Sequence, residues 1–218
     1  MKIDPFTHER ENMVNYQIAR RGIVDERILN AMRTIPRHLF VPEEFHRDAY
    51  EDFPLPIGNE QTISQPYIVA FMTNVLDLMG NENVLEVGTG SGYQAAVLSL
   101  LCKKVHTIER IPALAEKARQ TFLELGIKNV EVHVGDGSLG WLDAAPYQAI
   151  VVTAAAPSAP PALLDQLDVG GRMIVPVGGR YQQMLELWRK NKEGLKFQTI
   201  LPVVFVPLRG KQGWKEEV

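Results

Sequence analysis

The chain has little of what usually betrays a function. Its 218 residues hold one cysteine, Cys102, so no internal disulfide is possible. No apolar run approaches the roughly 20 residues that a membrane-spanning helix needs. Neither charge sign dominates: 23 Lys and Arg stand against 26 Asp and Glu, a formal net charge of -3. That balance gives no electrostatic case for nucleic acid or an anionic membrane surface. The histidines His8, His38, His46, His106 and His133 show no spacing suited to a metal and read as surface or packed side chains. No Ser, His and Asp arrangement, internal repeat or low-complexity tract stands out. The opening "MKIDPFTHERENMV" is charged and polar, unlike a secretory leader. The expectation is a cytoplasmic protein with no membrane, nucleic-acid or metal partner.

What is present is an ordinary globular composition, 45% hydrophobic and 22% charged. "HERENMVNYQIARRGI" and "DERILNAMRTI" read as two amphipathic helices. Between Pro36 and Pro66 the chain is dense in proline and aromatics, which forbids a continuous helix and suggests a long ordered loop of the kind often found at functional sites. Residues 1–80 therefore read as a helical and loop extension, 81–180 as an α/β core, and 181–218 as a closing hairpin and tail. In the core, "VLEV", "VHTIE", "VEVHVGD", "YQAIVVTAA" and "GRMIVPVG" are strand patterns. A helix over 112–126 follows the second, and a short one around Pro161–Leu167 follows the fourth. The alternation predicts a Rossmann-like, doubly wound, mostly parallel sheet. "QQMLELWRK" and "LKFQTILPVVFVPL" add a terminal antiparallel hairpin, for seven strands in all.

The stretch "VLEVGTGSGYQAAVLSL" carries the chemistry. Gly88, Gly90 and Gly92 lie between a buried strand and a helix, where backbone can approach a ligand closely. The dinucleotide fingerprint G-x-G-x-x-G fits Gly88 and Gly90, but Tyr93 stands where a small residue is required. Glu109 ends the next strand about 20 residues on, where an acid meets ribose hydroxyls. The residues alone thus stop at an adenosine-binding α/β protein.

The pattern Glu86-Val87-Gly88-Thr89-Gly90-Ser91-Gly92 resembles the first motif of class I S-adenosylmethionine-dependent methyltransferases. The stretches "PRHLFVPEEFHRDAYEDFPLPIGNEQTISQPYIVAFM", "GDGSLGW", "YQAIVVTAAAP", "LLDQLDVGGRMIVPVG" and "FVPL" further resemble the protein-L-isoaspartate O-methyltransferase family. The resemblance covers about Arg20 to Leu208. It implies a monomeric enzyme that methylates the α-carboxylate of isoaspartyl residues in damaged proteins and peptides. The ester then cyclises to a succinimide, whose hydrolysis regenerates some aspartate. It assigns cofactor binding to Glu86, Gly88, Thr89, Gly90 and Gly92, to Glu109 and Arg110 at the ribose, and to Asp136 and Gly137 near the adenine. Pro66, Tyr67, Ile68 and Val69 would pass the cofactor's methionine end. Ile63, Val206 and Leu208 would wall the substrate groove.

The resemblance assigns catalysis to Ser64, in "QTIS". A hydroxyl can orient a carboxylate without neutralising it; the same serine could instead cap the helix beginning after Pro66. An α-carboxyl with an unperturbed pKa of about 3.3–3.7 is ionised at neutral pH, so the implied reaction needs no general base. Arg209 follows "FVPL", where the family often has a small residue, and could face anionic peptides or solvent. A small-molecule or nucleic-acid methyltransferase is the alternative; the N-P-P-Y segment that amino-methylases place after the fourth strand reads "TAAAP" here.

Overall fold

The computed structural model describes residues 4–215. α1 (Thr7–Asn12) runs on through a wide turn, Met13–Ile18, and ends where Gly22 turns left-handed. α2 (Glu26–Thr34) starts at Asp25, whose carboxylate accepts the Arg27 amide, and buries Ile28, Leu29, Ala31 and Met32 along one face. The proline-dense stretch holds more regular structure than the long ordered loop its composition suggests. It holds two short 3-10 segments, Arg37–Phe40 and Glu43–Asp48, and a small hairpin of β1 (Leu55–Gly58) and β2 (Gln61–Ile63). Asn59 and Glu60 make its turn, both with positive φ (52° and 58°), as a tight hairpin with right-twisted strands requires.

α3 (Pro66–Val75) follows, with proline at a first-turn position that has no amide to lose. Then come β3 (Asn83–Val87), α4 (Tyr93–Ser99), β4 (Lys104–Glu109), α5 (Pro112–Glu124), β5 (Val130–Val134), β6 (Tyr147–Val152), α6 (Pro161–Asp165), β7 (Leu167–Gly178), β8 (Gln183–Asn191) and β9 (Gly194–Val203). The large sheet has the order β5-β4-β3-β6-β7-β8-β9. β5 through β7 pair in parallel and β7-β8-β9 pair antiparallel, so the doubly wound sheet with its closing hairpin is as expected.

Alternate residues of the central strands feed two cores. Val84, Val105, Ala149 and Val151 join α2, α3, α4 and α5 on one face; Leu85, Val87, Ile108, Ile150 and Val152 meet α6 on the other. The first core runs continuously from Met13 to Phe205, so the N-terminal extension is packed on the sheet. Strand order reverses beside β3: the chain winds to β4 and β5 on one side, then returns to β6 on the other. Such a switch point opens a crevice at the strands' carboxyl ends, where ligands bind in this architecture.

Gly92 seats α4 against α5. Its φ is +91°, and a Cβ there would stand 2.8 Å from Phe122 Cζ. We expect Gly92→Ala to lose about 1–3 kcal/mol of stability from overlap and backbone strain. Urea unfolding would measure it, and adding Phe122→Leu should restore part of the loss if the overlap is the cause.

Candidate active site

The glycine turn is held almost entirely by its own surroundings. The amides of Gly88 and Thr89 both donate to the Ile108 carbonyl, at 2.9 and 3.2 Å, and that of Gly92 donates to Thr89 O at 2.8 Å. The amide of Gly90 donates to Glu109 Oε2 at 2.8 Å. These are the groups a dinucleotide pyrophosphate would need, and here they have partners. An anionic carboxylate at the mouth of the turn also repels phosphate. Glu109 Oε1 accepts the Ile111 amide at 2.9 Å, so the carboxylate is fixed from both sides. Each oxygen keeps a further lone pair for hydroxyl donors. The pair can accept from two neighbouring hydroxyls.

Gly88 is required where the turn leaves β3. The Thr153 hydroxyl lies 2.6 Å from Gly88 O and 3.0 Å from Val87 O, clamping the turn to the end of β6. A Cβ on Gly88 would come within 2.5 Å of that hydroxyl oxygen, at a φ of +98°.

Glu86 sits beneath the turn and is fully buried. Its Oε2 accepts the Thr107 hydroxyl at 2.5 Å, Thr107 in turn meets Thr89 Oγ1 at 2.7 Å, and Oε1 has no partner among the described residues. Burial pushes this carboxyl up to about 8, with the charge of Glu109 adding to the rise. At neutral pH the group is protonated.

Two cavities meet at Ser64. One runs along the glycine turn past Glu86, Glu109 and Gly137 to Leu208. The other is a groove between Pro54, Gln65 and Ile68 on one side and Pro202 to Val206 on the other. Thr62, Ser64, Thr153 and Val206 line both. Ser64 does not cap α3: the N-cap is Gln65, which makes no side-chain cap bond, and the Ser64 hydroxyl has no hydrogen-bond partner among the described residues. The groove's far wall is pinned, since Ala155 donates to Val206 O at 2.8 Å and accepts from the Leu208 amide at 2.7 Å.

The profile of the family "Protein-L-isoaspartate(D-aspartate) O-methyltransferase" matches residues 8–213. The chain is 55% identical to protein-L-isoaspartate O-methyltransferase 1 of Syntrophobacter fumaroxidans, over 96% of this chain and 98% of that one. It is 54% identical to the protein-L-isoaspartate O-methyltransferase of Methanoculleus marisnigri, over 100% and 99%. The chain belongs to the protein-L-isoaspartate O-methyltransferase family. A solved structure of such a methyltransferase, 31% identical, superposes with a TM-score of 0.83 over 94% of this chain and 67% of that one. A Plasmodium falciparum protein at 24% identity, solved with S-adenosyl-L-homocysteine, shares the fold at a TM-score of 0.80 over 92% and 98%.

Of the residues that the resemblance to this family singles out, Ile63, Ser64, Val69, Glu86, Gly88, Thr89, Gly90, Glu109, Arg110, Gly137, Val206 and Leu208 line the first cavity. The others lie around it. Pro66 is buried at the start of α3, and Ile68 faces only the groove. The Tyr67 ring lies under the Arg21 guanidinium, 3.3 Å from its centroid. Gly92 serves the α4–α5 contact. Asp136 lines a neighbouring cavity with Arg209, Lys211 and Trp214, and its carboxylate is engaged: Oδ1 accepts from the Ser138 amide and hydroxyl, Oδ2 from the Lys211 amide. Arg209 borders both that cavity and the first.

Thr107 and Thr153 carry parts of the site that the motif reading passed over. The fourth strand's closing threonine was the visible signal for Thr153; nothing marked Thr107. His46 lies in an aromatic cluster with Phe6 and His38 and lines neither cavity. His106, Glu131 and His133, separate in sequence, come together across β4 and β5 with ligand atoms within 4.8 Å of one another. Their atoms already have partners: the two imidazoles share a contact of 3.1 Å, and Lys104 Nζ holds Glu131 at 2.7 Å. Cys102 is buried, which pushes its thiol up to about 12, and it serves as a small packed side chain.

The buried Glu86 carboxyl makes stability depend on pH. It ionises near 4.5 when unfolded and near 8 when folded, so between those values the unfolded chain releases a proton that the folded chain keeps. Stability therefore falls as pH rises through that window. Glu86→Gln removes this penalty. Relative to wild type, its thermal midpoint without cofactor should gain on going from about pH 5 to pH 8. Calorimetric scans at both pH values check it, and an equal offset at each would contradict the assignment.

Proposed function

We propose that the protein transfers a methyl group from S-adenosylmethionine to the α-carboxylate of L-isoaspartyl residues in damaged proteins and peptides. The carrying observation is Ser64, whose uncommitted hydroxyl stands on the wall shared by a nucleoside cleft and an open, largely apolar groove. The cleft's chemistry fits the methyl donor: Glu109 offers a fixed acceptor pair for ribose hydroxyls, and the turn between Gly88 and Gly92 leaves no amide pair for a pyrophosphate. Val69, at the first turn of α3, and Glu86 line the end of the cleft toward Ser64, where the donor's amino-acid part belongs. S-adenosylmethionine supplies an electrophilic methyl on a sulfonium.

The chain's own residues then have three tasks. Glu109 and the turn fix the donor. Ser64 donates to the substrate carboxylate and orients its attacking oxygen. Ile63, Val206 and Leu208 exclude water from the point of transfer. No proton has to move, because the α-carboxylate is ionised at neutral pH, and no side chain in either cavity stands as a free base. The reading includes a monomer acting in the cytoplasm without metal or nucleic acid, in keeping with the net charge of -3 and a reaction that needs no Lewis acid. An extended peptide fits the groove between the β1–β2 hairpin and residues 202–206, where backbone pairing would set which way the free carboxylate points.

The test compares two peptides that differ only in an aspartyl or isoaspartyl linkage, counting methyl ester formed. Only the isoaspartyl peptide should be labelled. Ser64→Ala should lower kcat by roughly tenfold to a hundredfold, the range of one hydrogen bond to a charged group, with S-adenosylhomocysteine affinity within a few-fold. Equal labelling of both peptides would overturn the substrate, and full activity in Ser64→Ala would remove the serine from the site.

A further inference from the structure

The most unusual buried group outside the site is Arg37, in the first 3-10 segment, fully buried. Its Nε donates to Ala49 O at 2.7 Å and its Nη2 donates to Ser64 O at 2.8 Å. The guanidinium carbon lies 4.9 Å from the centre of the Tyr93 ring, Nη1 has no partner, and no carboxylate forms an ion pair with it among the described residues. Burial pulls its pKa down to about 10, which still leaves a cation at neutral pH.

Packing does not explain this choice. A buried, unpaired cation is costly, and an apolar side chain of similar volume would fill the space with less penalty. What arginine alone supplies is a planar fork whose donors reach two backbone carbonyls at once. Those carbonyls lie at the end of the second 3-10 segment and at the residue joining β2 to α3. The second is Ser64. Neither its amide nor its hydroxyl has another hydrogen bond among the described residues, so its placement rests on this anchor and on its covalent neighbours.

We infer that Arg37 is a positioning residue for methyl transfer, fixing the Ser64 backbone so that the hydroxyl meets the substrate carboxylate at the junction of cleft and groove. The inference rests on the role proposed for Ser64, and it adds a residue that touches neither substrate nor donor. Arg37→Lys keeps the charge and loses the fork.

The experiment is a double-mutant cycle with wild type, Arg37→Lys, Ser64→Ala and the double variant, reading kcat, peptide KM and S-adenosylhomocysteine affinity. Arg37→Lys should lower kcat by about tenfold or more, as expected for a displaced charge-assisted hydrogen bond, with cofactor affinity within about twofold. In the Ser64→Ala background the same change should cost little, because the group being positioned is gone. An unchanged kcat in Arg37→Lys, or the same fold-loss in both backgrounds, would overturn the inference. Arg37→Gln, which donates to one carbonyl without charge, runs the same cycle as a second route; failure of both variants to fold would make Arg37 a folding residue and also overturn it. Equal labelling of aspartyl and isoaspartyl peptides by wild type would refute the substrate assignment separately, since the cycle reads coupling between Arg37 and Ser64 on any peptide that is turned over.

Discussion

The hydrogen bond from the Gly90 amide to the Glu109 carboxylate is the constraint on which the site depends. It ties the turn after β3 to the end of β4, so ligand geometry is set by the pairing of two central strands. With the neighbouring amides on Ile108 O and the turn's carbonyls on Thr153, the loop needs no ligand to hold its shape. On the proposed function, it presents a carboxylate to hydroxyls where other glycine turns bind a phosphate with their amides. The same glycine pattern can therefore serve different ligands; the acid at the next strand's end is common to nucleosides and dinucleotides, and what sets this turn apart is that its amides are already paired.

The substrate side is built differently. Ser64 lies on a connection between a two-stranded ribbon and a helix, and such connections are usually the mobile part of a fold. Here the segment is fastened to the core: Ile63 and Val69 are buried on either side, and Arg37 reaches the backbone from beneath. Glu86 and Arg37 are both ionisable, fully buried and, among the described residues, incompletely hydrogen-bonded. Each costs stability, and each is tied to a segment that borders the cleft, Glu86 through Thr107 and Arg37 through Ser64. This is the trade between stability and activity expected where geometry must be exact.

How much was legible follows from how local each feature is. The parallel strands were legible because strands covered on both faces read as apolar runs, and Glu109 because strand length fixes its distance from Gly88. The β1–β2 hairpin was hidden because Pro56 disfavours a strand and its two turn residues are Asn-Glu, with the glycine, Gly58, standing just before them. Gly92 looked like part of the ligand turn, yet only the approach of Phe122 shows its packing role. The pairing of His106 with His133 depends on strand register, which spacing in one chain does not display. Nothing in "PRHLF" marks Arg37 as buried, because its burial follows from long-range packing alone.

The most direct measurement is a crystal structure with S-adenosylhomocysteine and an isoaspartyl peptide bound together. The ribose hydroxyls are expected on the Glu109 carboxylate, with the cofactor sulfur at the Ser64 end of the cleft. The peptide's α-carboxylate is expected within hydrogen-bond reach of the Ser64 hydroxyl, and the Arg37 bond to Ser64 O intact. A nucleoside bound away from Glu109, or a carboxylate seated out of reach of Ser64, would contradict the account.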